Sequence, residues 1–233
     1  MHAMIEVERL CKHFTLHNQG GVTLPVLEDV SLFARSGECV VLNGRSGSGK
    51  STLLRCVYAN YRTQSGSARV RHGREWVDMA SAAPRDVLAV RRHSMAYVSQ
   101  FLRVIPRVRT IDIVMEPAIA SGVDDATARG RAETLLARLN VPQRLWTLPP
   151  ATFSGGEQQR VNIARGFAAE MPILLLDEPT AALDAKNRRA VVDLMQEAKG
   201  RGAAILGIFH DEEVRDAVAT HLFEMTAENK DER

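Results

Sequence analysis

The sequence has no apolar run approaching the length of a membrane span, so any work at a membrane would depend on a partner. It also lacks an excess of either charge: 30 lysines and arginines face 28 aspartates and glutamates, a formal net charge of +2. That balance offers no electrostatic footprint for a nucleic-acid backbone, and no nucleic-acid partner is expected. Cysteine is scarce. Cys11, Cys39 and Cys56 are odd in number and widely spaced, and they form neither a zinc nor a redox pattern. They read as reduced structural thiols, the usual state in a cytoplasmic protein. The first residues, Met1-His2-Ala3-Met4-Ile5-Glu6, lack a basic region followed by an apolar stretch, so no signal peptide is expected. There is no internal repeat and no low-complexity tract. What remains is an ordinary globular composition: 233 residues, 45% hydrophobic and 25% charged, enough for one sizeable core with subdomains.

The chain is organised around one stretch. Val40-Val41-Leu42 reads as a buried strand, Gly44-Arg45-Ser46-Gly47-Ser48-Gly49 as a turn, and Lys50-Ser51-Thr52-Leu53-Leu54 as the start of a helix. The turn fits G-x-x-x-x-G-K-[ST], the phosphate-binding loop, with the flanking strand and helix that motif requires. Glycines at 44, 47 and 49 allow consecutive N–H groups to converge on an anion. The helix beginning near Lys50 adds unpaired N–H groups and a positive dipole end. Lys50 would reach the β- and γ-phosphates of a nucleotide, and Ser51 would ligand Mg²⁺.

Before and after this loop, residues 4–42 read as strands and turns: Met4–Glu8, a break at Asn18-Gln19-Gly20-Gly21, then Val26–Phe33 and a turn at Ser36-Gly37-Glu38. Gln64-Ser65-Gly66-Ser67 reads as another break, and His72-Gly73-Arg74 as the turn of a hairpin within Val70–Met79. Asp124 or Asp125 would cap a helix over Thr127–Asn140, whose Ala128, Ala132, Leu135, Leu136 and Leu139 form one apolar stripe. Gly130 weakens that helix by about 1 kcal/mol relative to alanine. Prolines bound the following loop at Val141-Pro142 and Leu148-Pro149-Pro150. Farther on, a strand at Ile173–Leu176, a helix over Asn187–Lys199 and a strand at Ala203–Phe209 alternate, which argues for a parallel sheet with helices on its faces. The tail, Ala227–Arg233, is charged and expected to fray.

Two further stretches carry chemistry. Ile173-Leu174-Leu175-Leu176-Asp177-Glu178 is an apolar strand ending in two carboxylates, at the end where α/β sheets bind ligands. Behind a phosphate loop, Asp177 would hold the Mg²⁺ shell and Glu178 would orient or deprotonate the attacking water. Ser154-Gly155-Gly156-Glu157 is a capping box. Two glycines in a first helical turn are poor helix formers, so helix stability does not explain them; they leave bare N–H groups at a positive helix end, a second anion site. One chain with two phosphate sites suggests two ligands or a dimer that shares them.

The phosphate loop, Thr152-Phe153-Ser154-Gly155-Gly156-Glu157-Gln158-Gln159-Arg160, the 173–178 strand, Ala181-Ala182-Leu183-Asp184 and Phe209-His210 resemble, in this order, an ABC-type ATPase domain over nearly the whole chain. The resemblance implies an α/β fold with a parallel-sheet RecA-like core, an antiparallel β subdomain and a helical subdomain. It implies one ATP-binding domain: a β-rich layer at about 4–42 and 62–98, a helical subdomain at about 103–160, and a core completed by 160–226. ATP and Mg²⁺ follow as ligands, bound by Gly44, Arg45, Ser46, Gly47, Ser48, Gly49, Lys50, Ser51 and Thr52. By the same resemblance Phe14 stacks on adenine, Gln100 touches the metal beside Ser51 and Asp177, and Asp184 lies at a dimer interface. His210 contacts the γ-phosphate. Phe153 stands where leucine is usual and Glu157 where glutamine is usual, and no catalytic position is missing. Hydrolysis is therefore expected, in a head-to-tail homo- or heterodimer where each phosphate loop faces a Ser154–Glu157 segment.

Other stretches are less widely shared. Val98 to Arg107, the His72-Gly73-Arg74-Glu75-Trp76-Val77-Asp78 hairpin, Leu53 to Tyr61 and Thr152 to Gly156 look like the PhnL-type subunits of the bacterial carbon–phosphorus lyase system. That resemblance implies an accessory ATPase of phosphonate breakdown, associated with ribose 1-methylphosphonate 5-triphosphate formation, with lyase subunits as partners. The same catalytic motifs would serve the ATPase of a membrane transporter of lipoprotein-release or macrolide-export type, or a module using ATP as structural glue without hydrolysis. Arg103, Arg107 and Arg109, just past Gln100, are candidates to meet an acidic partner surface.

Overall fold

The computed structural model describes residues 2–16, 21–100, 102 and 106–225. Asn18, Gln19 and Gly20 of the expected break, Arg103 and the charged tail lie outside them.

Two sheets share the work. Strands β1 (Ala3–Leu16), β2 (Val22–Arg35), β4 (Ser65–His72) and β5 (Glu75–Asp78) form an antiparallel sheet in the order β2-β1-β4-β5. Strands β3 (Cys39–Asn43), β6 (Met95–Val98), β7 (Ile173–Asp177), β8 (Ala204–Ile208) and β9 (His221–Glu224) form a parallel sheet in the order β6-β7-β8-β3-β9. The seven α-helices of the described residues are α1 (Lys50–Val57), α2 (Pro84–His93), α3 (Thr110–Ala120), α4 (Asp125–Arg138), α5 (Gly155–Phe167), α6 (Ala185–Gly200) and α7 (Glu212–Val218).

The apolar strands of the parallel sheet are explained by what lies on each face. Successive side chains point to opposite faces of a strand, so a strand covered on both sides must be apolar throughout. In β7, Leu174 and Leu176 join one buried cluster with α3, α4, α5 and α6, while Ile173 and Leu175 join a second with α1 and the antiparallel sheet. Burying one such leucine contributes about 2 kcal/mol. The parallel sheet is thus the wall between two cores, and its C-terminal edge is where both meet solvent.

Helix α4 is capped by Asp124, whose carboxylate accepts the Thr127 N–H at 3.0 Å, and its Ala128, Ala132, Leu135 and Leu136 are buried as the stripe requires. The same hydrogen bond lowers the Asp124 pKa. The Ser154 capping box is present in full: the Ser154 hydroxyl accepts the Glu157 N–H at 3.3 Å, and the Ser154 N–H donates to Glu157 at 2.9 Å. Hydrogen bonds from Ser154 lower the Glu157 pKa, holding it as the carboxylate the box needs. Ser154→Ala is expected to cost about 1 kcal/mol of stability, read as a lower urea midpoint with an unchanged slope.

Two expectations are corrected. Ser65-Gly66-Ser67 is not a break but the start of β4, where β1 bulges between Glu8 and Cys11. Gly66 has φ +81°, and a Cβ there would stand 2.3 Å from the Arg9 carbonyl oxygen, so the glycine marks a close strand crossing and not a loop. Met95–Val98 is not part of the β-rich layer but an edge strand of the parallel sheet, paired with Ile173–Leu176. A four-residue apolar segment carries no sign of which sheet it will join.

Cys39 and Cys56 are buried and free, and Cys11 is half-buried and free. Burial raises the thiol pKa to about 12 for Cys39 and about 11 for Cys56, so both stay protonated and inert.

Candidate active site

The C-terminal ends of four parallel strands deliver the site. β3 runs into the phosphate loop, β6 is followed by Gln100, β7 ends in Asp177 and Glu178, and β8 leads to His210. Sheet order places β3, β7 and β8 together, so groups far apart in sequence converge.

The loop needs its glycines for two distinct reasons. At Gly49, φ is +94°, and a Cβ would lie 2.8 Å from both the Val26 carbonyl oxygen and Leu27, because β2 passes directly over the loop. At Gly44, φ is +142°, and a Cβ would lie 2.7 Å from the Met225 carbonyl oxygen. The Lys50 ammonium folds back on its own loop, donating to the carbonyls of Gly44 at 2.7 Å and Arg45 at 2.8 Å. Among the described residues the buried Ser48 hydroxyl has no hydrogen-bond partner.

Glu178 is held from two sides. Gln100 donates through Nε2 to Oε2 at 2.9 Å, and His210 Nε2 lies 2.7 Å from Oε1. Its backbone sits at φ +54°, a left-handed conformation that costs a non-glycine residue about 1 kcal/mol. A cleft of about 200 Å³ opens here, bordered by Val26, phosphate-loop residues 46, 47 and 49–52, Glu178 and His210. Asp177, 2% exposed, accepts the Ser51 hydroxyl on Oδ1 at 2.8 Å and the Tyr97 hydroxyl on Oδ2 at 2.8 Å.

This donor set fits a magnesium nucleotide. Mg²⁺ takes hard oxygen ligands, keeps several waters, and needs one or two carboxylates together with substrate phosphates. Ser51 and Asp177, already in contact beside the loop, offer that hydroxyl and carboxylate. Among the described residues no group of three or more His, Cys, Asp or Glu could form an all-protein cage. The orphaned Ser48 hydroxyl, buried inside the loop, fits a phosphate oxygen as its missing partner.

Other expected site residues do not converge on this cleft. Phe14, opposite Leu24 in the β1–β2 hairpin, is edge-on to Tyr61 at 5.3 Å and is not among the residues lining the cleft. The Lys12 ammonium lies 4.7 Å from its ring centroid. Asp184 caps α6, accepting the Asn187 N–H at 2.8 Å. Gly155, beside the Ser154 hydroxyl, has open space where a Cβ would point, while Gly156 packs toward the Ala182 carbonyl. Arg109, a candidate to meet an acidic partner surface, forms a two-point ion pair with Asp112 at 2.6 and 3.0 Å.

Sequence reasoning missed Tyr97 and a second cleft. Arg55, Tyr58, Asn60, Tyr61, Arg91 and Ser99 are among the residues bordering a polar groove of about 490 Å³ on the far side of Asp177. Arg91 donates to the Tyr58 carbonyl and to Asn60, and Arg55 to the Tyr61 hydroxyl at 2.9 Å. Among the described residues neither guanidinium has a carboxylate partner. Asn162 ties α5 to this region, donating to the Ser99 carbonyl at 2.6 Å.

The ABC transporter family model matches residues 27–181, more than half of the chain. The chain is similar to the lipoprotein-releasing system ATP-binding protein LolD of Novosphingobium aromaticivorans, 38% identical over 196 residues, covering 84% of this chain and 85% of that one. It is also similar to the macrolide export ATP-binding/permease protein MacB of Burkholderia pseudomallei, 37% identical over 212 residues. That match covers 91% of this chain but 31% of MacB, about a third of the relative's length. Among solved structures, the dimeric ATP-binding cassette MJ0796 in a post-hydrolysis state bound to ADP and Pi aligns with TM-score 0.85 and 27% identity over 95% and 94% of the two chains. These similarities carry the broad ABC resemblance and nothing specific to a carbon–phosphorus lyase system.

Proposed function

The chain belongs to the ABC transporter family of ATP-binding proteins, and on that premise we propose that it hydrolyses ATP within a nucleotide-sandwich dimer to drive a separate partner. The observation that carries this reading is the meeting of Gln100 and His210 on Glu178 beside the phosphate loop. A complete set of Lys50, Ser51, Asp177, Glu178 and His210 supports hydrolysis over a purely structural use of ATP.

In this reading the loop N–H groups and the start of α1 bind the triphosphate, and the Lys50 ammonium moves from its loop carbonyls to the β- and γ-phosphates. Ser51, Asp177 and the Gln100 amide oxygen would hold Mg²⁺, which neutralises charge building on the phosphate oxygens. Glu178 accepts the proton of the attacking water, and His210 and Gln100 keep its carboxylate aimed at that water. Phe14 stacks on the adenine ring. Ser154, Gly155, Gly156 and Glu157, with Asp184, act across the interface on the nucleotide of the other subunit, so ATP holds the dimer closed and its cleavage releases it.

Similarity to lipoprotein-release and macrolide-export proteins supports a membrane permease as the partner. No helix of the described residues is long and apolar enough to cross a membrane, so a permease would be a separate chain or segment. A second reading, a carbon–phosphorus lyase complex, is favoured by a different observation. Tyr58, Asn60 and Tyr61 belong to the stretch resembling that system, and they border the groove beside Ser99 instead of the nucleotide cleft.

The test is to purify tagged Glu178→Gln protein with Mg-ATP from its native host and identify what accompanies it. A permease is the expected result. Lyase subunits in its place would transfer the assignment to phosphonate breakdown, and a monomer with neither would remove the sandwich-dimer reading.

A further inference from the structure

We propose that Tyr97 is a positioning residue for Asp177, and that its hydroxyl sets how tightly the site holds a divalent cation. This rests on reading Asp177 as the metal-binding carboxylate. Tyr97 stands on β6, directly opposite Leu175 of β7, which puts its phenol within reach of the strand's last residue. Asp177 is 2% exposed, and the two side-chain donors it has among the described residues are Ser51 on Oδ1 and Tyr97 on Oδ2. A buried carboxylate with both oxygens tied has one orientation, and removing a donor frees it to turn.

The ring of Tyr97 is held independently of that bond. It stacks on Tyr58 with centroids 5.0 Å apart and planes 24° from parallel, and the Arg91 guanidinium lies 4.2 Å from the Tyr58 ring centroid on its way into the polar groove. A phenylalanine would fill the same stack. The hydroxyl adds the bond to Asp177 and a second contact to the Arg55 guanidinium, and of the two only the first reaches the metal-binding carboxylate.

Mn²⁺ is the probe, titrated into the full-length protein saturated with ADP and followed by the electron paramagnetic resonance signal of the free ion. Tyr97→Phe is expected to weaken Mn²⁺ binding on the order of tenfold. ADP affinity in EDTA should stay near wild type, while the thermal midpoint of the metal-free protein falls by a few degrees for the lost hydrogen bond to a buried carboxylate. Tyr58→Leu removes the stack but keeps the hydroxyl, and should retain Mn²⁺ affinity within about twofold. Asp177→Asn should lose measurable affinity. If Asp177→Asn weakens Mn²⁺ but Tyr97→Phe does not, the proposal is overturned and the metal assignment stands. Equal losses in Tyr58→Leu and Tyr97→Phe would assign the effect to packing and also overturn it. Unchanged binding in Asp177→Asn would remove both assignments.

Discussion

Glu178→Gln is expected to cut steady-state ATP turnover by roughly 10²- to 10⁴-fold while ATP binding persists. The amide matches the carboxylate in shape, so Gln100 and His210 still have a group to hold where they now meet Oε2 and Oε1. What it cannot do is take a proton from water. In the proposed sandwich dimer hydrolysis would break the nucleotide bridge, so the variant should also accumulate as a dimer in Mg-ATP, seen as a shift to earlier elution in size-exclusion chromatography. Phosphate release measured beside the wild type decides the first claim: a rate within threefold would strip Glu178 of its role. The left-handed backbone at this position supports the assignment, since a strained residue persists only where its surroundings fix it.

The second large effect is on binding. Lys50→Ala is expected to weaken ATP about 10²-fold, the loss of roughly 3 kcal/mol that charge-assisted hydrogen bonds to phosphate contribute. The ammonium bridges the Gly44 and Arg45 carbonyls, which places it at the loop whose N–H groups would take the phosphates. Titration with a fluorescent ATP analogue measures the change directly. Affinity within threefold of wild type would mean that the loop N–H groups and helix dipole carry the binding, and that the lysine is an internal brace.

Much of this architecture was readable because local rules and tertiary needs agree. An unbroken apolar run at 173–176 fits a strand covered on both faces, and the two cores it separates are that cover. Ser154 three residues before Glu157 specifies its own geometry, as does Asp124 before Thr127. The readings that failed are those where a residue's meaning depends on a distant neighbour. Gly66 looks like a loop until the Arg9 carbonyl is placed against it. The Arg109 ion pair is equally hidden in the sequence, because it depends on Asp112 reaching back across one turn of helix. The proposed catalytic residues stand out as motifs, but the Tyr97 hydroxyl does not: sequence reveals an aromatic on a strand, and only the register of β6 on β7 turns it into a donor to Asp177.

The contact between Met225 and the phosphate loop has a consequence for how the protein is made. The Met225 N–H donates to the Asn43 carbonyl at 2.7 Å, and β9 pairs with β3 from Val40 to Asn43. The strand feeding the loop thus waits for one of its two flanking partners until about residue 225 has left the ribosome. Until then the nascent chain carries a phosphate loop whose first glycine lacks the Met225 backbone it closes against. Closing the loop therefore waits on a segment far downstream of the glycine that it packs against.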